Sequence, residues 1–93
     1  MSHHCHVPGC ATATPPRLLT CPSHWAHVDP ATQREVYRTV RLRGKTVDAS
    51  WAPWWRASHR AIAQCLAADG WTPERVATWL DREMRFADTL ETR

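Results

Sequence analysis

Four residues near the N-terminus constrain this chain more than any other feature. Three of its 4 cysteines and one histidine fall in the pattern Cys5-x4-Cys10-x10-Cys21-x2-His24, which has the form of a closed tetrahedral Cys3His zinc site. Each spacer has a physical use. Between Cys5 and Cys10, Pro8-Gly9 supplies a tight turn that folds two thiolates toward one point. Pro22, directly after Cys21, fits the first position of a helix, where its missing N–H costs nothing. Cys21 then lies at the cap, where unpaired backbone N–H groups and the positive helix end favour a thiolate. His24, three residues on, returns toward the same metal. The expected local fold is a treble-clef-like zinc finger over residues 1–28: a knuckle, a short hairpin and a helix carrying the last two ligands. One structural zinc bound by three thiolates leaves this site with a charge of about −1.

Other ligand candidates compete. A disulfide scaffold is the alternative use of the cysteines, but nothing in the sequence marks export, and two Cys–His pairs at ligand spacing are hard to read as bridges. His27, one turn beyond His24, could replace it, though Cys-x2-His is the more usual geometry; otherwise it is a surface residue or supports a ligand. His3, His4 and His6 could take copper or nickel through a free amino terminus, against the simpler reading of a polar, disordered chain end. Cys65, 41 residues past His24, sits between Ile62 and Leu66 on a predicted helix and reads as a small core hydrophobe.

The chain has 93 residues, of which 43% are hydrophobic and 23% charged, so one globular domain is expected. It is expected to be mostly α, with about three helices after the finger. Asp29-Pro30 is a cap followed by proline and Gly44 a stop, which predicts a helix over 29–44. Val36, Tyr37 and Val40 form its apolar stripe. A second helix runs over 53–69, with Trp55, Ser58, Ile62, Cys65, Leu66 and Asp69 along one side and Arg56, Arg60 and Gln64 facing outward. Residues 46–51 between them read as a loop. Thr72-Pro73 opens a third helix over 72–91, whose stripe is Val76, Trp79, Leu80, Glu83, Met84, Ala87 and Leu90. That stripe serves for packing and is also the surface on which a homodimer could form. No apolar run approaches the roughly 20 residues of a membrane span, and the His-rich N-terminus lacks the apolar core of a secretory signal. A soluble protein without membrane contact, in the cytoplasm, is the expectation.

Two features point outward. The formal net charge of +3 is uneven: residues 1–46 carry +4 and residues 47–93 carry −1. In the basic half Arg34, Arg38, Arg41 and Lys45 follow helical spacing as one stripe, either a solvated face or a ridge that meets phosphates or an acidic partner. The chain also holds 6 Trp against 1 Phe and 1 Tyr. Trp51, Trp54 and Trp55 crowd into five residues, too close for all to enter one small core easily, so one or two rings are candidates for base stacking or for a protein partner. Trp25, Trp71 and Trp79 read as structural, Trp25 as a cover for the metal site. Catalysis is not expected. The four ligands close the metal's coordination shell, the His-x-Glu with Pro-Cys-x-x-Cys of zinc deaminases is absent, and the chain contains no Asn.

Over residues 5–40 the chain resembles a group of small zinc-finger proteins encoded by bacteriophages and prophages of high-GC bacteria. The residues that carry the likeness are Cys5, Pro8 and Cys10, the Pro15-Pro16-Arg17-Leu18 segment, Cys21-Pro22-Ser23-His24-Trp25, the Arg-bearing helix that follows, and more loosely His59-Arg60-Ala61-Ala63. The resemblance implies Cys5, Cys10, Cys21 and His24 as zinc ligands, a phage accessory protein, and the cytoplasm of a bacterial host cell. Two functions then stand. The first is a zinc-stabilised module that engages nucleic acid through its basic helix. The second is an effector that binds and modulates a host protein through the Trp cluster and the C-terminal helix.

Overall fold

Proline and cap chemistry set the helix starts. In the computed structural model, which describes residues 3–15, 18–45 and 51–91, four helices follow in order: α1 (Pro22–Trp25), α2 (Pro30–Lys45), α3 (Ala52–Ala68) and α4 (Pro73–Glu91). Asp29 caps α2 by accepting the Thr32 N–H at 2.8 Å, and the Thr72 hydroxyl accepts the Arg75 N–H at 3.2 Å to open α4. α3 has proline in its first turn but no side-chain cap. Gly44 does not stop α2, which continues to Lys45; glycine lowers helix stability by about 1 kcal/mol without breaking the hydrogen-bond ladder. The loop expected at 46–51 falls almost wholly outside the described residues.

α3 is the central helix and packs against α1, α2 and α4, whereas among the described residues α2 and α4 do not meet. Its composition explains this position. Ala57 and Ala61 bring neighbouring backbones close, and Ile62, Cys65 and Leu66 fill the core. The stripe expected on α4 is the face packed on α3: Ala87 is buried, and Val76, Trp79, Leu80, Glu83, Met84 and Leu90 are half-buried. The surface considered for a homodimer is therefore largely covered within the chain. Among the described residues no helix is long and apolar enough to cross a membrane.

Two expectations change. α2 buries Val36 and Thr39, while Tyr37 and Val40 are 48% and 46% exposed. Thr39 tolerates burial because its hydroxyl donates to the Glu35 and Val36 carbonyls, at 3.0 and 2.9 Å. Gln64, expected to face outward, instead clamps α3 to the start of α2. It accepts the Asp29 N–H at 2.8 Å and donates to Asp29 and Thr32, at 2.7 and 2.9 Å.

One buried polar group is unsatisfied. Ser58 is fully buried and its hydroxyl has no partner among the described residues. Such a group carries a desolvation penalty of about 1–3 kcal/mol. Ser58→Ala is accordingly expected to leave stability unchanged or to raise the thermal midpoint by a few degrees. A clear fall in calorimetry would show that the hydroxyl is paired in solution.

Candidate metal centre

The finger is built from two short segments and one helical turn. The Cys10 N–H donates to the Val7 carbonyl at 3.0 Å, with Pro8 and Gly9 at the two central turn positions. Gly9 has φ +86°, the left-handed conformation that a proline–glycine turn requires. The arms on either side meet through Cys5 N–H to Thr12 O and Thr14 N–H to His3 O, at 3.0 and 2.8 Å. They form one isolated antiparallel bridge, His4 with Ala13; no strand is present among the described residues. Cys21 lies directly before α1 and His24 within it, on a single helical turn.

This geometry gathers the four expected ligands. One donor atom from each of Cys5, Cys10, Cys21 and His24 lies within 4.8 Å of all the others. The His24 Nδ1 is 3.5 Å from the Cys5 Sγ and 3.3 Å from the Cys21 Sγ. Tetrahedral zinc, with bonds of about 2.3 Å to sulfur and 2.0–2.1 Å to nitrogen, has sulfur-to-nitrogen edges of roughly 3.5 Å. The residues therefore fit such an ion, and none of the four cysteines is in a disulfide. His27 is exposed and outside the group. His3 and His6 turn toward each other, Nε2 to Nε2 at 3.2 Å, and His3 Nδ1 meets the Thr14 carbonyl at 3.1 Å. This end of the chain is thus held by hydrogen bonds, while residues 1 and 2, which carry the amino terminus that the copper or nickel reading needs, lie outside the described residues.

The thiols differ in readiness to ionise. Hydrogen bonds from Thr12, by hydroxyl and then by backbone N–H, lower Cys10 to about 7. Burial opposes ionisation of Cys21, but the backbone and ring of His24 outweigh it and its pKa is lowered. Burial raises Cys5, which a bound cation would have to offset. Cys65 is different. It is wholly buried, burial pushes it up to about 12, and its thiol donates to the His24 carbonyl at 3.2 Å. It is a neutral core residue that touches the back of the finger.

The sequence missed Asp69 as part of this centre. Asp69 caps the C-terminus of α3, and its carboxylate oxygens lie 2.9 and 3.1 Å from the His24 Nε2. Burial works against protonation of His24, but the Asp69 and Cys21 contacts prevail and its pKa is raised. The available signal was an acid placed where the negative end of a helix disfavours it.

The outward-facing candidates separate. Arg34, Arg38 and Arg41 are all exposed on α2. Glu35 holds Arg38, with 2.9 Å from Nε to the carboxylate, and no ion pair to a described residue engages Arg34 or Arg41. The Lys45 side chain lies outside the described ones. The three Trp occupy three environments. Trp55 donates from Nε1 to the Glu83 carbonyl at 3.0 Å and stacks on His59 with centroids 4.3 Å apart, inside the α3–α4 interface. Trp51 is exposed and meets Trp54 edge-on at 5.6 Å. Trp54 lines a cavity of about 490 Å³ with Leu18, Leu19, Trp25, Tyr37 and Val40. Trp25, expected over the metal site, lines this cavity and packs edge-on against Tyr37 at 5.8 Å.

No protein-family model, no curated protein and no solved structure matches the chain.

Proposed function

We propose that this protein is a non-catalytic binding module whose N-terminal finger is held by one structural zinc. The observation that carries this is the convergence of Cys5, Cys10, Cys21 and His24 donor atoms within 4.8 Å. A thiolate-rich set of three sulfurs and one imidazole suits zinc. Four protein donors complete a tetrahedron, so the metal supplies folding free energy and no open coordination position. The turn at Pro8-Gly9 and the ligand pair around α1 support a treble-clef-like outline, although α1 is only one turn long. The resemblance carried by the Cys-Pro-Ser-His-Trp motif at 21–25 is the ground for proposing a phage accessory protein that acts in the bacterial cytoplasm.

The partner proposed first is nucleic acid, engaged along α2. Support comes from Arg34, Arg38 and Arg41 on its exposed surface and from the +4 charge of residues 1–46. Up to four phosphate contacts, Lys45 included, would give a salt slope of about −3 to −4 on duplex DNA. Fluorescence anisotropy with labelled DNA and RNA at two salt concentrations tests this. Micromolar binding that weakens with salt and disappears in Arg34→Gln/Arg38→Gln/Arg41→Gln supports it. No binding at low salt refutes it.

A second reading has its own observation. The cavity of about 490 Å³ beside exposed Tyr37 and Val40 has the size and apolar lining of a site for a partner's side chains. A host protein anchored there by an apolar residue would make the module an effector. Salt-insensitive binding lost in Trp54→Ala distinguishes it from the phosphate ridge.

A further inference from the structure

We propose that Asp69 is the positioning residue of the metal centre, selecting the metal-binding tautomer of His24 and tying the finger to the far end of α3. This rests on the zinc assignment and adds to it a residue 45 positions away in sequence.

The His24 ring has two nitrogens with different tasks. Nδ1 faces the sulfurs of Cys5 and Cys21, at 3.5 and 3.3 Å. Nε2 faces both oxygens of Asp69, at 3.1 and 2.9 Å. A carboxylate accepts and cannot donate, so Asp69 draws the ring proton to Nε2 and leaves the Nδ1 lone pair for a cation. This is the arrangement in which a carboxylate orients a ligating imidazole and raises its basicity. The contact is partly shielded, the two side chains being 13% and 37% exposed.

The backbone explains why Asp69 is held there. The Gly70 N–H donates to Ala67 O and the Trp71 N–H to Leu66 O, each at 3.1 Å, and Gly70 has φ +96°. That pair of bonds with a left-handed glycine is the Schellman ending of a helix. It fixes the direction of the residue before the glycine. An aspartate in that place opposes the helix dipole, and the His24 ring faces its carboxylate from the finger. Cys65, one turn earlier on the same helix, adds a second tie through its thiol to the His24 carbonyl. Zinc affinity and docking of the finger on α3 are thereby coupled through one imidazole.

The test compares the full chain with Asp69→Asn and Asp69→Ala. Zinc affinity is measured by competition with a chromophoric chelator, together with the visible spectrum of the cobalt-substituted protein and the urea midpoint of the metal-free form. Asp69→Ala is expected to weaken zinc binding roughly ten- to a hundredfold and to shift the cobalt bands. Asp69→Asn, which keeps an acceptor but no charge, should fall between. A role confined to the helix end predicts the opposite order, because neutral Asn is the better residue there; the metal-free midpoint should show that order, with Asn equal to or above Asp. Asp81→Ala on α4 should leave the affinity unchanged. Equal affinities for wild type and both variants would overturn the positioning role while leaving the zinc assignment intact. A wild-type protein that takes up no zinc or cobalt would overturn both.

Discussion

Cys21→Ser is expected to strip the metal and unfold the N-terminal finger. Cys21 is buried in the same cluster as Cys5, Val7 and Val28, and His24 sits three residues from it on one helical turn. A turn this short has no stability of its own, and one isolated bridge is too little to hold residues 3–14 together. The finger must be held from outside. Structural zinc contributes about 10–16 kcal/mol of apparent binding free energy in small fingers, and that free energy is folding free energy. Serine at position 21 offers a hydroxyl that stays protonated, so three donors remain. Elemental analysis should find less than one zinc per chain after dialysis. Amide signals of residues 3–28 should collapse toward unfolded positions while those of α3 and α4 persist. Retention of one tightly bound zinc with an unchanged spectrum would refute the ligand assignment of Cys21.

The second large effect is expected at Leu66→Ala. Leu66 is fully buried on α3, the helix that packs against α1, α2 and α4. Truncation removes apolar contacts and leaves a cavity, for which the cost in well-packed cores is about 2–5 kcal/mol. A chain of this length has a total stability of roughly 5–15 kcal/mol. The thermal midpoint should drop by at least about 10 °C, with zinc content still one per chain at 25 °C, because no ligand is touched. A shift of only a degree or two would mean that α3 is not the central element.

The helices were legible because their signals are local. Pro30, Pro73 and the caps Asp29 and Thr72 act within one turn, and the spacing of Ile62, Cys65 and Leu66 marks a buried face without knowledge of its neighbour. The cluster of Cys5, Cys10, Cys21 and His24 was legible for a related reason: a zinc site restricts donor types and spacings so tightly that such a set stands out in the sequence. What failed depended on contacts between distant elements. Gln64 looks solvent-facing until α2 is laid beside α3 and Asp29 arrives at its amide. Tyr37 and Val40 belong to an apolar stripe by spacing, yet the rotation of α2 about its axis, set by Val36 and Thr39 against α3, turns them toward the cavity. Asp69 reaches the His24 ring only because Gly70 ends α3 next to it; the sequence marks an acid at a disfavoured helix end but not the residue it meets. The Trp51–Trp55 segment reads as a single cluster, but helical rotation turns Trp55 toward α4 and away from Trp51 and Trp54, whose rings meet edge-on.

Metal content read together with cysteine protection shows whether zinc holds the finger. The protein is purified without chelator, weighed by native mass spectrometry, and alkylated before and after zinc removal. One zinc per chain is expected, with Cys5, Cys10 and Cys21 protected only while the metal is bound and Cys65 protected in both forms until the core is unfolded. A metal-free chain of unchanged stability, or a disulfide between any two of Cys5, Cys10 and Cys21, would contradict it.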